Sequence, residues 1–213
     1  MRLRNIRGAR EAVEASGYCV RDPHGQKGQW RALFPRCERL YLEIGCGKGR
    51  FLRETALRHP ESGFIGIERY ASVLYKAVSR MPEHAPDNIR FAMMDATLLA
   101  EVFAAQEADG IFLNFSDPWP KERHRERRLV STSFFRRYDR VLAPDGEIAF
   151  KTDNAALFDF CLEQAPLAGF IVRAMTYDLH ADPVMGEGNV MTEYEQRFSR
   201  EGHPIMKCIM TRA

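Results

Sequence analysis

Asp117 and Trp119 stand in the run Asn114-Phe-Ser-Asp-Pro-Trp-Pro-Lys121, whose residue types suit work on a flat, phosphate-bearing substrate. Pro118 and Pro120 remove two backbone donors and fix φ, so the acid and the ring are presented on a stiff, extended loop. Behind it come Lys121, Arg123, His124, Arg125, Arg127 and Arg128 against only Glu122 and Glu126. A carboxylate and an aromatic ring therefore sit beside a patch that attracts phosphate. A solvated charge run is the ordinary fate of such a segment. A Trp between two prolines at the end of an apolar strand argues against that fate here.

A second constellation lies upstream in Glu43-Ile-Gly-Cys-Gly-Lys-Gly-Arg-Phe51. Gly45, Gly47 and Gly49 open a helix, a turn that lets backbone approach a ligand and aims helix N-terminal amides at it. The dinucleotide fingerprint needs glycine at position 50, where this chain has Arg50, so a nicotinamide cofactor is disfavoured. Glu43, two positions before the first glycine, would repel a pyrophosphate and welcome the ammonium of an amino acid. That charge argument points to S-adenosylmethionine. Two further strand ends agree: Gly66-Ile-Glu68 offers a carboxylate to both hydroxyls of a ribose, and Met94-Asp95-Ala96 offers one to an adenine amino group. Any one of these acids could be a helix cap; three at successive strand ends after a glycine turn are better explained by a cofactor.

Such acids must be held by strands, and the chain supplies them. Apolar runs at Leu40 to Ile44, Phe64 to Ile67, Ile89 to Met94, Ile111 to Phe115 and Glu147 to Thr152 alternate with helical spacing at Arg50 to Arg58, Ala71 to Arg80, Thr97 to Gln106 and Leu129 to Leu142. This alternation predicts an α/β fold with a mainly parallel sheet covered on both faces and ligands at the carboxyl ends of the strands. A helix at Ala155 to Ala168, a strand at Phe170 to Thr176 and a last apolar run at Ile205 to Met210 follow. Residues 1–36, with Arg2, Arg4, Arg7 and Arg10, are expected to form an arm over the main body, and 37–213 a single domain. The polar stretch 177–204 inside it is long for a loop, and such loops are more often functional than accidental.

Composition sets the outer limits. The 213 residues are 45% hydrophobic, enough for one large core, and the net charge of +2 averages over uneven segments. Five cysteines without a C-x-x-C pair suggest neither a disulfide framework nor a zinc site, and no metal is expected. With no apolar run of the ~20 residues that a membrane helix needs and no secretory signal, a cytoplasmic protein is expected; a short transit peptide is the minor alternative.

Glu43-Ile-Gly-Cys-Gly-Lys-Gly, Asn114-Phe-Ser-Asp-Pro-Trp-Pro-Lys121, Phe150-Lys-Thr-Asp-Asn154 and Thr192-Glu-Tyr-Glu195, in this order, closely resemble the bacterial tRNA (guanine-N7-)-methyltransferases. The resemblance runs over nearly the whole chain, and its D-P-W-P-K and T-x-Y-E blocks are the specific ones. It implies a Rossmann-like class I S-adenosylmethionine-dependent methyltransferase with a mostly parallel seven-stranded sheet. The implied reaction forms N7-methylguanine in tRNA, at the variable-loop guanine of tRNA position 46, by a monomer or homodimer that binds no membrane. On this reading Glu43, Gly45, Gly47, Glu68, Asp95, Ala96, Asn114 and Asp117 border the cofactor, and Asp117 is also the catalytic carboxylate. Lys121 would pair with a phosphate or guanine oxygen, while Arg123, His124, Arg125, Glu126, Arg127 and Arg128 follow the RNA backbone. Trp119 could stack on a base or brace the loop, and core packing is the expected role. The resemblance alone implies that Asp153, Thr192, Glu193, Tyr194 and Glu195 bind the guanine.

Two other classes compete. An amino-methyltransferase would carry an Asp/Asn-Pro-Pro-aromatic loop after the same strand, and the Trp-Pro-Lys here argues against it. A non-catalytic RNA-binding protein of the same fold would have lost cofactor acids or glycines, and this chain keeps them.

Overall fold

A computed structural model of the protein describes residues 5–82 and 86–213. Arg2 and Arg4 of the expected arm lie outside them. The rest of the arm is more regular than its composition suggests. Helix α1 (Ala9–Ala15) starts after Gly8, and the two-residue strand β1 (Cys19–Val20) follows. Two 3-10 turns, His24–Gln26 and Trp30–Leu33, lead onward. One buried acid fixes this stretch: Glu107 accepts from the backbone N–H of Gly28 at 3.1 Å, Trp30 at 2.9 Å and Ala104 at 2.7 Å. The Trp30 indole donates to the Val102 carbonyl at 2.9 Å and stacks on Phe103. These anchors come from distant residues, so local sequence could not reveal them.

The body then alternates. In order come β2 (Arg39–Ile44), α2 (Arg50–Arg58), β3 (Ser62–Glu68), α3 (Ala71–Val78), β4 (Ile89–Met93), α4 (Leu99–Val102) and β5 (Ala108–Asn114). After them come α5 (Thr132–Val141), β6 (Leu142–Thr152), α6 (Ala155–Leu167), β7 (Phe170–Thr176), α7 (Glu193–Arg200) and β8 (Met206–Arg212). The sheet runs β1-β4-β3-β2-β5-β6-β8-β7, and only β8 is antiparallel to its neighbours. Among the described residues it has eight strands, one more than the seven expected. The addition is β1 of the arm, which pairs with β4 through Cys19↔Phe91 and Val20↔Ala92. Two residues are too few to register as a hydrophobic period.

Two other segments depart from expectation. The helix foreseen at Thr97 to Gln106 is only a 3-10 turn, Ala96–Leu98, followed by the single turn of α4. Asp95 caps its start by accepting from Thr97 N, and Glu107 captures Ala104 N at its end, a donor that a longer helix would use. The polar stretch 177–204 contains α7, closed by a capping box in which the Thr192 hydroxyl accepts from Glu195 N and the Glu195 carboxylate from Thr192 N.

Alternation along the strands sorts the core into two layers. Leu42 and Ile44 of β2, Leu113 of β5 and Phe150 of β6 pack with α4, α5 and α6. Phe64 and Phe91 pack with Leu52, Ala56, Leu74 and Ala77 of α2 and α3. At the carboxyl ends of the parallel strands this second face turns polar: Glu43, Asn114 and Lys151 come from β2, β5 and β6, and Lys207 from the start of the antiparallel β8, with Asn114 paired to Lys151 and Lys151 to Lys207 across strands. The order reverses at β2, which leads one way to β3 and the other to β5. Ligand crevices of open α/β sheets form at such a switch point.

Candidate active site

Gly45 and Gly47 take φ of 74° and 58°, the left-handed region that side chains disfavour. A Cβ at either would touch nothing closer than 3.9 Å, so the turn is open above as well as tightly wound. Beneath it lies Glu43, whose Oε1 accepts from Asn114 Nδ2 at 2.9 Å while its Oε2, buried, has no hydrogen-bond partner. Burial, far outweighing the Asn114 hydrogen bond and the Lys151 charge, pushes the Glu43 carboxyl up to about 8. Asn114 thus orients the Glu43 carboxylate. Glu68 is buried as well, and burial raises its carboxyl although the backbone N–H groups of Tyr70, Arg69 and Gly47 pull the other way. Its Oε1 accepts from Tyr70 N at 2.9 Å. Asp95 is half-exposed: burial raises it, but the Thr97 N–H and hydroxyl and the Arg69 and Arg137 charges together hold it below the usual carboxylate range. Ala96 begins the 3-10 turn behind it. The three acids thus share the crevice at the ends of neighbouring strands.

The Asp117 loop is under backbone strain. Phe115 and Trp119 have φ of 51° and 41°, each without glycine's freedom, and such residues cost about 1–3 kcal/mol apiece. Long-range contacts hold them: Phe115 N donates to the Lys151 carbonyl at 2.9 Å, and the Arg128 guanidinium donates to the carbonyls of Pro118 (3.1 Å) and Trp119 (3.2 Å) while lying 4.3 Å above the Phe160 ring. Trp119 is half-buried against its own loop, with His124 edge-on at 5.5 Å and Arg127 over it at 5.2 Å. The expected core packing is not found: Trp119 lies outside the core clusters, its ring covered by residues of its own loop. Asp117 is exposed, and among the described residues its carboxylate accepts no hydrogen bond. Lys121 starts a 3-10 turn, Glu122–Arg127, in which Arg125 pairs with Glu122 at 3.0 Å. Lys121, Arg123, Glu126 and Arg127 are exposed, whereas His124, Arg125 and Arg128 are half-buried. Arg128→Ala is expected to release the strained loop and to lower kcat about tenfold or more with unchanged cofactor affinity, readable by single-turnover kinetics.

Asp153 follows β6 and is half-buried. Thr192 and Glu195 are buried in their capping box, Glu193 is half-buried, and Tyr194 is exposed. Glu193 bridges the glycine turn and the segment just after α3 by pairing with Lys48 and, at 2.6 Å, with Arg80. Arg50 of α2 reaches Gln196 in the same way. The late segment is therefore docked on the cofactor turn, and the sequence motifs 145 positions apart meet. Glu195 is the expected site residue with the least surface left for a ligand: it is 0% exposed and both its oxygens are engaged. Its partner Lys151 escaped sequence reasoning. A lone cation inside the apolar run Ile148-Ala-Phe-Lys-Thr152 was the available signal.

These features fit S-adenosylmethionine. An orphaned buried carboxylate oxygen lies under an open glycine turn where an ammonium would satisfy it, and two more acids continue along the strand ends. A family model described as "Putative methyltransferase" matches residues 38–208. Solved structures of similar fold include the 16S rRNA methyltransferase KamB, at TM-score 0.66 and 13% identity over 87% of this chain and 93% of that one. Another is a 16S rRNA (adenine(1408)-N(1))-methyltransferase from Catenulisporales acidiphilia with cosubstrate SAM, at TM-score 0.60 and 13% identity over 90% and 92%. Sequence relatives are far nearer. The tRNA (guanine-N(7)-)-methyltransferase of Lachnoclostridium phytofermentans is 49% identical over 100% of this chain and 99% of that protein. That of Brevibacillus brevis is 46% identical over 97% and 96%. With Glu43, Glu68 and Asp95 at neighbouring strand ends beside the glycine turn, and identity of this order along the full length, the chain belongs to the tRNA (guanine-N7-)-methyltransferase family.

Proposed function

We propose that the protein forms N7-methylguanine in tRNA at the variable-loop guanine of position 46, with S-adenosylmethionine as methyl donor. The observation that carries this reading is the strained loop that presents the free Asp117 carboxylate beside exposed basic residues, next to the crevice of Glu43, Glu68 and Asp95. When bound, the cofactor supplies an electrophilic methyl group on a sulfonium. Guanine N7 already carries an in-plane lone pair, so no proton need be removed from the nucleophile. Positioning and electrostatics are what the chain must provide. Asp117 accepts from the N1 proton and the amino edge of guanine, which selects guanine over adenine and stabilises the positive charge that spreads into the purine. Glu43, with Asn114 orienting it, takes the cofactor ammonium, Glu68 the ribose and Asp95 the adenine amino group, while Gly45, Gly47 and Ala96 leave room for close approach. Asp153, Thr192 and Tyr194 frame the guanine, and Lys121 meets a phosphate or guanine oxygen.

The exposed Arg123 and Arg127 contact the RNA backbone, together with Lys121. Removing Arg123 and Arg127 together should weaken tRNA binding and make the slope of log K against log salt shallower by about two. A filter-binding series in potassium chloride measures it; an unchanged slope would place the phosphate contacts elsewhere.

The activity itself is tested by methyl transfer from labelled S-adenosylmethionine to unmodified tRNA, followed by borohydride and aniline cleavage, which cuts at N7-methylguanine. One cut in the variable loop is expected. A cut at another guanine would overturn the position, and label without any cut would overturn the N7 assignment.

A further inference from the structure

Lys151 is 4% exposed, and all three of its ammonium protons are spent. Its Nζ donates to Glu195 Oε2 at 2.7 Å, to the Val190 carbonyl at 2.9 Å and to Asn189 Oδ1 at 3.0 Å. Asn189 closes the ring by donating from Nδ2 to Glu195 Oε1 at 2.6 Å, and His180 Nε2 lies 3.4 Å from the same oxygen. Glu195 meanwhile caps α7. One lysine thus ties the end of β6 to the 177–204 segment.

Its backbone is as well placed as its side chain. The Lys151 carbonyl holds Phe115 N, the strained first residue of the Asp117 loop. Two residues on is Asp153, and across the ladder stands Asn114, the residue that orients Glu43. The ammonium lies 5.2 Å from the centre of the Phe51 ring of α2. Every segment that frames the guanine in the reading above is therefore within one contact of Lys151.

A buried ion pair is a poor way to gain stability, because desolvating both charges offsets most of their attraction, and a well-packed apolar pair of similar volume is often as stable. What it does supply is a fixed distance and direction between two elements. We propose that the Lys151–Glu195 pair is a positioning device for methyl transfer: it sets the Asp117 loop, Asp153 and the Thr192–Tyr194 edge at one spacing, and Glu195 acts through Lys151 without touching the guanine. The inference rests on the guanine-N7 reading and names the part of the site which neither motif by itself explains.

The test replaces the pair together, Lys151→Met with Glu195→Met, so that no unpaired charge is left buried. The double variant is expected to stay folded, its melting temperature lowered by about the loss of the Glu195 half of the α7 capping box. At saturating S-adenosylmethionine, kcat for N7 methylation of tRNA should fall about 100-fold, the scale of an ångström-sized misplacement. KM for tRNA should stay within about threefold, since the exposed phosphate contacts are intact. A folded double variant with near-wild-type kcat would overturn the proposal, because a merely structural pair is replaced once stability is restored. Should the double variant not fold, Lys151→Arg decides: it keeps the charge but changes the reach, and wild-type kcat with it would equally overturn the idea. Wild-type protein assayed alongside separates the two levels, since absence of the N7 cleavage product there would count against the underlying guanine-N7 reading.

Discussion

Asp117→Ala should lower methyl transfer by about 10²–10³-fold or more, because it removes the carboxylate proposed both to fix the guanine edge and to stabilise the charge developing on the purine. The fold should not notice. Asp117 is exposed and carries no hydrogen bond among the described residues, so the change in stability is expected within about 0.5 kcal/mol. Asp117→Asn separates the charge from the hydrogen bonds. If the negative charge carries the effect, Asn loses nearly as much as Ala; if acceptance of the guanine N–H groups carries it, the Asn Oδ1 keeps a good part of the wild-type rate. An alanine variant within tenfold of wild type would sink the assignment altogether.

The second large effect concerns Glu43 and cofactor affinity. Glu43→Ala removes one partner of a buried charge pair, a loss of about 2–5 kcal/mol, or on the order of 10²-fold in S-adenosylmethionine affinity. The pH dependence is the sharper signature. The Glu43 carboxyl sits near 8 in the free protein, so at neutral pH it is largely protonated, and the incoming ammonium must drive it to the anion. Affinity should therefore rise with pH, about tenfold per unit between about pH 6 and 7.5, with close to one proton released per cofactor bound. Calorimetry in two buffers of different ionisation enthalpy measures the release directly. Glu43→Gln should bind weakly at every pH with no such release. A wild-type protein that binds without releasing a proton would mean that another group meets the ammonium. The same shift has the opposite sign for the free protein's stability. The native state holds a proton that the unfolded chain gives up near 4.5, so this group's contribution, full below that value, is lost as pH rises to about 8. Saturating cofactor should offset the loss.

Much of the crevice was legible in the chain. The helix Arg50–Arg58 and the strand Phe170–Thr176 lie where periodicity places them, and Glu43, Glu68 and Asp95 stand at the ends of β2, β3 and β4. Those features are local: a period of two or of about 3.6, a glycine turn, an acid after a strand. β1 was not legible, since two residues carry no period and its partner is at Phe91 and Ala92. Nor was the ordering of the arm, which hangs on Glu107 and Val102.

The candidate site divides in the same way. Sequence alone singled out residues that could carry chemistry: the Asp117 loop, its basic neighbours and the acids at the strand ends by type and spacing, the T-x-Y-E block by resemblance only. Only the tertiary structure decided what each is free to do. It left Asp117 exposed and bound Arg128 to the loop it was expected to leave for RNA. Glu193 went to Lys48 and Arg80, and Glu195 into a ring with Lys151 and Asn189. The reason is physical: residue type and spacing fix what a side chain can donate, accept or carry, whereas burial and long-range partners determine whether that capacity is already spent inside the protein or remains available to a ligand.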